Sequence, residues 1–234
     1  PVTLELGGKS PQLFFEDANL ESALPFLVNA GIQNGGQTCS ASSRILVHRS
    51  RYNEVVDHMS QKYKDLIVRP AINDGALGPL ISERQKSIVE DFISKGQKLN
   101  LVAQGEIDSS APTKGHYVAP HLFADVPEDH ILAKDEIFGP VQVIMPFDTE
   151  EEAISIANGT DYGLVASIWT NDGARQMRLA KKLKSGQVFI NNYGAGGGVE
   201  LPFGGRGFSG HGREKGFEAL YGFSTLKTVA SYHQ

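Results

Sequence analysis

Cysteine is the scarcest reactive residue in this sequence, because Cys39 is the only one among 234 residues. A single cysteine cannot form a disulfide within the chain, so we expect a reducing, cytoplasmic location. The seven histidines show neither an H-E-x-x-H motif nor paired spacing with cysteine. We therefore predict no metal site.

Long apolar runs and an excess of basic residues are also missing. No uninterrupted apolar stretch reaches the ~18 residues that a transmembrane helix needs. The net charge is -5 and no long basic run occurs. Residues 1–15 lack the basic start and apolar core of a signal peptide. Nucleic acid and membranes are therefore not expected partners.

What is present is the composition of a globular protein, 40% hydrophobic and 21% charged, with alternating strand-like and helix-like segments. Strands are predicted at residues 2–6, 12–15, 44–48, 100–103, 141–147, 165–170 and 187–190. Helices are predicted at residues 20–34 (capped by Asp17 or Asn19), 51–65, 82–96, 149–158 and 173–183. This alternation predicts an α/β fold with a largely parallel sheet. Because the chain opens without Met inside an expected strand, we expect a piece of a longer protein.

Two glycine-rich motifs are similar to phosphate-binding loops but lack the required context. TLELGGKS has Thr3 where a P-loop needs glycine, so Lys9 is expected to be a surface or turn residue. GRGFSG satisfies G-x-G-x-x-G, but it follows Pro-Phe-Gly rather than a hydrophobic strand. His211 in the same run is expected to be solvated. We predict neither phosphate site.

Three positions have side chains suited to catalysis. Cys39 has small and polar neighbours in GGQTCSASS, whereas a structural cysteine is usually surrounded by branched apolar residues. Glu5 ends an apolar strand before a Gly-Gly turn, where partial burial would suit a general base. Glu136 and Phe138 precede a Gly-Pro turn. Each also has an ordinary interpretation, as an inert thiol, a paired carboxylate, a turn residue or a core aromatic, and the residue pattern alone leaves both open.

Taken together, four segments resemble motifs of the aldehyde dehydrogenase superfamily, in the family's order. They are LELGGKSP (4–11), similar to its general-base signature, NGGQTCSASSR (34–44), similar to its nucleophile segment, EIFGPV (136–141), similar to its cofactor-ribose segment, and LPFGGRGFSGHGREKG (201–216), similar to its closing glycine loop. The resemblance implies a three-layer α/β/α catalytic domain with a largely parallel sheet. It also implies that residues 1–6 end a cofactor-binding domain, 7–205 form the catalytic domain, and 206–234 form a C-terminal segment with an oligomerisation strand at about 226–232.

The resemblance also implies roles for single residues. Cys39 would be the nucleophile that forms a thiohemiacetal and then a thioester, and its backbone N–H would be an oxyanion donor. Glu5 would activate the water that hydrolyses the thioester. The remaining implied roles are cofactor contacts at Glu136, Phe138 and Gly7, a substrate-tunnel position at Phe203 and a proton-relay position at Glu214.

The implied function is the oxidation of an aldehyde to a carboxylic acid with NAD or NADP, in a homodimer or homotetramer. The family's second oxyanion donor and its phosphate- and adenosine-binding part would lie upstream of Glu5, so we expect this chain to be inactive alone. One alternative is an acylating enzyme that passes the thioester to coenzyme A, and Glu5 argues against it. A non-catalytic relative is the other, and an intact pair of Cys39 and Glu5 argues against that.

Overall fold

The chain is described here by a computed structural model that covers residues 2–194 and 198–233. Among these residues the strands are Leu4–Glu5 (β1), Pro11–Phe14 (β2), Arg44–His48 (β3), Ile67–Val68 (β4), Asn100–Gln104 (β5), Glu106–Ile107 (β6), His121–Ala124 (β7), Val141–Phe147 (β8), Val165–Trp169 (β9), Gln187–Ile190 (β10) and Gly210–His211 (β11). The α-helices are Leu20–Ile32 (α1), Tyr52–Lys64 (α2), Glu83–Lys95 (α3), Ile131–Lys134 (α4), Glu150–Ala157 (α5), Gly173–Lys182 (α6) and Ala219–Gly222 (α7).

A seven-stranded sheet with the order β10-β9-β2-β3-β8-β7-β5 organises the fold. Neighbouring strands are parallel except at one edge, where β5 runs antiparallel to β7. Two small two-stranded sheets, β1 with β11 and β4 with β6, lie outside it. The predicted α/β class with a largely parallel sheet is confirmed.

Side chains that alternate along the strands divide the core into two layers. On β2, Leu13 packs into one apolar cluster and Phe14 into another, because successive strand residues point to opposite faces. Helices α1 and α2 supply the cluster that contains Phe14, and α3 to α6 supply the other. The sheet therefore lies between two layers of helices, which confirms the three-layer α/β/α architecture.

Capping residues explain why two of the predicted helices begin where they do. The Asn19 side chain accepts from the backbone N–H of Ser22 at 2.9 Å, so Asn19 rather than Asp17 caps α1. The Ser82 hydroxyl accepts from the N–H of Gln85 at 3.2 Å at the start of α3. The Asp17 carboxylate instead accepts from the Thr170 hydroxyl. This contact links the segment before α1 to the residue that follows β9.

Some elements differ from the prediction. The strand predicted at 2–6 is confined to Leu4–Glu5, and the short elements β4, β6, β7, α4, β11 and α7 were not predicted. Residues 226–232, where the resemblance implies a strand that pairs with a neighbouring subunit, form no strand in the single chain, and their side chains are exposed. A strand needs hydrogen-bond partners, and this segment pairs with no other described strand. Within the described residues, no helix has the length and apolarity needed to cross a membrane.

Candidate active site

Cys39 lies in the loop between α1 and β3, directly after a 3-10 turn at Gln33–Gly36. Gly36 has a φ of +74°, and a Cβ there would lie 2.1 Å from the carbonyl oxygen of Gly139. Only glycine therefore lets this turn approach the segment that follows Phe138. Cys39 is half-buried and packs on an apolar cluster that includes Leu164 and Tyr193. Its sulfur thus lies at the boundary between core and surface.

Glu5 lies on β1, opposite Gly210 of β11. Both carboxylate oxygens are buried, and neither has a hydrogen-bond partner within residues 2–194 and 198–233. A Cβ added to Gly204 would lie 2.8 Å from Glu5 Oε1, so the carboxylate contacts the glycine-rich loop. Burial and the Glu214 charge raise the pKa of Glu5, while the Arg213 charge opposes that rise. These are the surroundings expected of a general base.

The Gly7–Gly8 turn after Glu5 brings the other two motifs together. The N–H of Gly8 donates to Oε1 of Glu136 at 2.9 Å. A Cβ at Gly7 would lie 2.3 Å from Oε2 of the same carboxylate, and a Cβ at Gly8 would lie 2.1 Å from the carbonyl oxygen of Cys39. Both positions need glycine for close approach. Glu136 and Cys39, which are far apart in sequence, therefore both lie against the Gly7–Gly8 dipeptide.

Burial and two negative charges both disfavour the thiolate form of Cys39. Burial raises the pKa of Cys39, and the Glu136 and Glu5 charges raise it further, although the backbone N–H of Ser40 acts in the opposite direction. Burial also raises the pKa of Glu136, against the Gly8 N–H and the Lys9 charge. These effects favour the thiol form of Cys39 over the thiolate.

Phe138 has a φ of +54°, a left-handed conformation that is uncommon outside glycine. The Gln85 side chain stabilises it by donating to the Phe138 carbonyl at 2.9 Å. Phe138 and Glu136 line a narrow cavity together with Gly8 and Thr38. Of the predicted cofactor residues, Glu136 and Phe138 therefore line one cavity, and Gly7 lies against the Glu136 carboxylate.

Phe203 and Glu214 face each other in the glycine-rich loop. Their backbones exchange two hydrogen bonds of 2.7 Å. The Phe203 ring packs on the same apolar cluster as Cys39, and the exposed Glu214 acts through its charge on Glu5. Both predicted residues thus lie next to the pair formed by Cys39 and Glu5.

Two residues near the site were not identified from the sequence. The expectation that Lys9 is a surface or turn residue is wrong, because its side chain is 2% exposed. A signal was available, since Lys9 lies two residues before β2, whose four residues are all buried. Tyr193 is the second: its hydroxyl donates to the carbonyl oxygen of Ser40, next to the nucleophile.

A family model places this arrangement among known proteins. The model of the aldehyde dehydrogenase family matches residues 1–229. The chain is 40% identical over 230 residues to DhaS of Bacillus subtilis (strain 168), which is assigned to the aldehyde dehydrogenases; this covers 97% of the chain and 46% of DhaS. The chain therefore belongs to the aldehyde dehydrogenase family, and it spans about half the length of the curated relatives it matches.

Solved structures support the same assignment. The crystal structure of a Burkholderia cenocepacia protein assigned to the aldehyde dehydrogenases superposes with a TM-score of 0.96 at 59% identity, covering 98% of this chain and 48% of that one. An aldehyde dehydrogenase from Bacillus cereus in complex with NAD+ superposes with a TM-score of 0.92 at 41% identity, covering 98% and 46%. The predicted family is confirmed, and these relatives share the fold.

Proposed function

We propose that the protein carrying this chain oxidises an aldehyde to a carboxylic acid with NAD or NADP, through a covalent intermediate on Cys39. The single observation that carries the proposal is the Gly7–Gly8 turn, which follows Glu5 and contacts both the Glu136 carboxylate and the Cys39 backbone. Family membership supports the reaction class.

Cys39 provides the nucleophile of the first step. Its thiol gives its proton to solvent water, the thiolate sulfur forms a bond to the aldehyde carbon, and the C=O π electrons pass to the oxygen, which becomes an oxyanion. The backbone N–H of Cys39 is one donor to that oxyanion. The small residues around the sulfur leave space for a substrate, and Phe203 lies on the apolar cluster next to it.

The residues present fit a nicotinamide dinucleotide. Glu136 presents a half-buried carboxylate whose Oε1 is held by the Gly8 N–H, and the missing side chain at Gly7 leaves that carboxylate uncovered. Glu136 would accept from the ribose hydroxyls, and Phe138 would pack beside the ribose. A bound dinucleotide would supply a two-electron hydride acceptor, so that the carbon attached to Cys39 could be oxidised to a thioester.

Glu5 serves the final step. As a base it takes a proton from water, whose oxygen attacks the thioester carbon; the C–S bond breaks and the carboxylic acid leaves. The raised pKa of Glu5 suits proton transfer near neutrality. Glu214, whose charge acts on Glu5, would carry the proton away to solvent, where it is exposed.

Glu5 separates this proposal from an acylating enzyme. An acylating enzyme would transfer the thioester to coenzyme A and would not need a water-activating base. Incubation of the complete polypeptide with an aldehyde, dinucleotide and coenzyme A distinguishes the two by its product. Free acid is expected, and acyl-CoA without free acid would favour the alternative.

The test of function compares the complete polypeptide with Cys39→Ala, using propanal, benzaldehyde and 3-aminopropanal with NAD+ and NADP+. We expect dinucleotide reduction by the unmodified protein and none by the variant. Equal reduction by both would exclude Cys39 as the nucleophile. No reduction with any aldehyde would favour a non-catalytic relative.

The domain organisation and assembly belong to the same proposal. Residues 1–6 would end a cofactor-binding domain, 7–205 would form the catalytic domain, and 206–234 would include a strand that pairs with a second copy in a cytoplasmic homodimer or homotetramer. The exposed Leu226, Val229 and Tyr232 support such pairing, because their apolar side chains are largely open to solvent in the described part of the chain. Sedimentation of the complete polypeptide with and without residues 226–234 tests it.

A further inference from the structure

Lys9 is a buried lysine that no step of the proposed reaction uses. Its side chain is 2% exposed, and its Nζ has no hydrogen-bond partner within the described part of the chain. Lysines are almost never fully buried unless they are paired, because removing an ammonium from water is costly. The position of Lys9 next to the cofactor-ribose carboxylate points to an electrostatic role.

The backbone on both sides of Lys9 is held in place. The preceding N–H, from Gly8, donates to Glu136 Oε1 at 2.9 Å. The Lys9 carbonyl accepts from Arg44 Nε at 3.0 Å, and the same guanidinium donates to the carbonyls of Ile156 and Ala157 at 2.7 and 2.8 Å. These contacts connect Lys9 to the Glu136 segment on one side and to the end of α5 on the other.

Charged groups act on Lys9 from two elements. Asp135 and Glu136, in the segment between α4 and β8, favour its ammonium form, whereas Arg44 of β3 opposes it. Glu136 in turn acts on the titration of Cys39 and Tyr162. Lys9 is thus the cation whose charge acts on the Glu136 carboxylate.

We propose that Lys9 is a positioning residue whose buried ammonium holds the Glu136 carboxylate ionised, so that Glu136 remains an acceptor for the ribose hydroxyls. The inference rests on the proposed function, because it assumes that Glu136 meets the ribose. An ionised carboxylate accepts at both oxygens, whereas the protonated form donates from one of them. Lys9 itself touches neither substrate nor cofactor in this account.

The effect of Lys9 is restricted to acid pH. Burial raises the pKa of Glu136, and the Lys9 charge lowers it. Burial lowers the pKa of Lys9 itself to about 7. Below that pH Lys9 is charged and opposes protonation of Glu136. Above it Lys9 is neutral, so its charge no longer acts on Glu136.

Dinucleotide affinity as a function of pH tests this role. The Kd of NAD+ and NADP+ is measured by calorimetry between about pH 5 and about pH 9 for the complete polypeptide and for Lys9→Met, Lys9→Gln and Lys9→Arg. In the Met and Gln variants we expect dinucleotide affinity to begin falling at a higher pH than in the unmodified polypeptide. At a pH where the unmodified polypeptide begins to lose affinity, the Met and Gln variants should bind about three- to tenfold more weakly, and at about pH 8.5, where Lys9 is neutral, their affinity should be unchanged.

Two controls separate charge from structure. Lys9→Arg keeps a cation, and Lys98→Met removes an exposed lysine; both are expected to retain the unmodified pH profile. Thermal unfolding at about pH 8.5 verifies that each variant is folded, and Lys9→Gln provides a second neutral variant if Lys9→Met does not fold.

Two results would overturn the inference while leaving the proposed function intact. One is an unchanged profile in both neutral variants. The other is an equal loss of affinity at every pH, which would mean a purely structural role. If the unmodified polypeptide binds no dinucleotide at any pH, the proposed function fails, and this inference fails with it.

Discussion

At the scale of single residues, the charges of two carboxylates act on the Cys39 thiol. Glu5 and Glu136 both raise the pKa of Cys39, in addition to the effect of burial. No charged partner among the causes of that shift favours the thiolate. Burial and both charges therefore favour the protonated thiol of Cys39 over its thiolate.

This electrostatic arrangement predicts a faster thiol reaction when one carboxylate is removed. Glu136→Gln removes a charge that raises the Cys39 pKa, so the thiolate fraction at about pH 8 should increase. Because the thiolate is the reacting species, iodoacetamide should react faster with Glu136→Gln, by a factor on the order of two to three. Glu83→Gln, at an exposed carboxylate in α3, is the matched control. An unchanged or slower reaction in Glu136→Gln would contradict the electrostatic account.

The lowered pKa of Lys9 leads to a second prediction, which concerns the stability of the folded chain. Its pKa is about 7 in the folded chain and about 10.4 when unfolded. Between these values the unfolded state binds the extra proton, so the free energy of unfolding rises with pH by up to about 1.4 kcal/mol per unit. Below about pH 7 both states are protonated and Lys9 adds no slope.

Lys9→Met should remove that slope. Denaturant titrations between about pH 7 and about pH 10 measure it for both proteins, and Lys98→Met provides the surface control. If the stability of Lys9→Met rises with pH as steeply as that of the unmodified protein, Lys9 does not titrate as we infer.

At the scale of elements, the Gly7–Gly8 turn is the most constrained part of the site. Gly8→Ala would place a Cβ 2.1 Å from the Cys39 carbonyl oxygen. Because that atom is backbone, relief requires the nucleophile loop to move, and we expect a loss of stability of about 1–3 kcal/mol. We also expect the dinucleotide reduction rate to fall more than aldehyde binding.

Gly173→Ala is the matched control for that substitution. Gly173 begins α6, and a Cβ there meets no atom within 4 Å. Denaturant unfolding of both variants measures the difference. If Gly8→Ala is as stable and active as Gly173→Ala, the close approach of the two loops is not required.

Elements with local signals were predictable from the sequence. The Ser82–Gln85 pattern located the start of α3, and mostly apolar runs predicted β8 and β9. By contrast, β7 has four buried residues without alternation and adds a strand between β5 and β8. Its pairing depends on contacts far apart in the chain, which no local pattern records.

The site residues were likewise predictable where the signal lies in a local motif, and not where it depends on contacts between distant segments. Cys39, Glu5 and Glu136 were found because four motifs occur in one order, not because any single residue is distinctive. The burial of Lys9 was missed because it depends on Arg44, which comes from another strand and binds the Lys9 carbonyl.

At the scale of the whole molecule, the chain spans about half the length of its curated relatives. Much of the catalytic machinery proposed here is within it, but no residue for the dinucleotide phosphates or for the second oxyanion donor was identified. We therefore expect the isolated 234 residues not to oxidise aldehydes. Absorbance at 340 nm measures dinucleotide reduction, where NADH and NADPH absorb. Turnover by the isolated chain, with the complete polypeptide as the positive control, would contradict this expectation.

The central claim is a covalent acyl intermediate on Cys39 that Glu5 helps to hydrolyse. Its most direct test is mass spectrometry of the Glu5→Gln variant of the complete polypeptide, quenched after mixing with propanal and dinucleotide. Slower hydrolysis should let the thioester accumulate, and peptide mapping should place a propionyl group on Cys39. Dinucleotide reduction without any acyl group on Cys39, or with the group on another residue, would contradict the account.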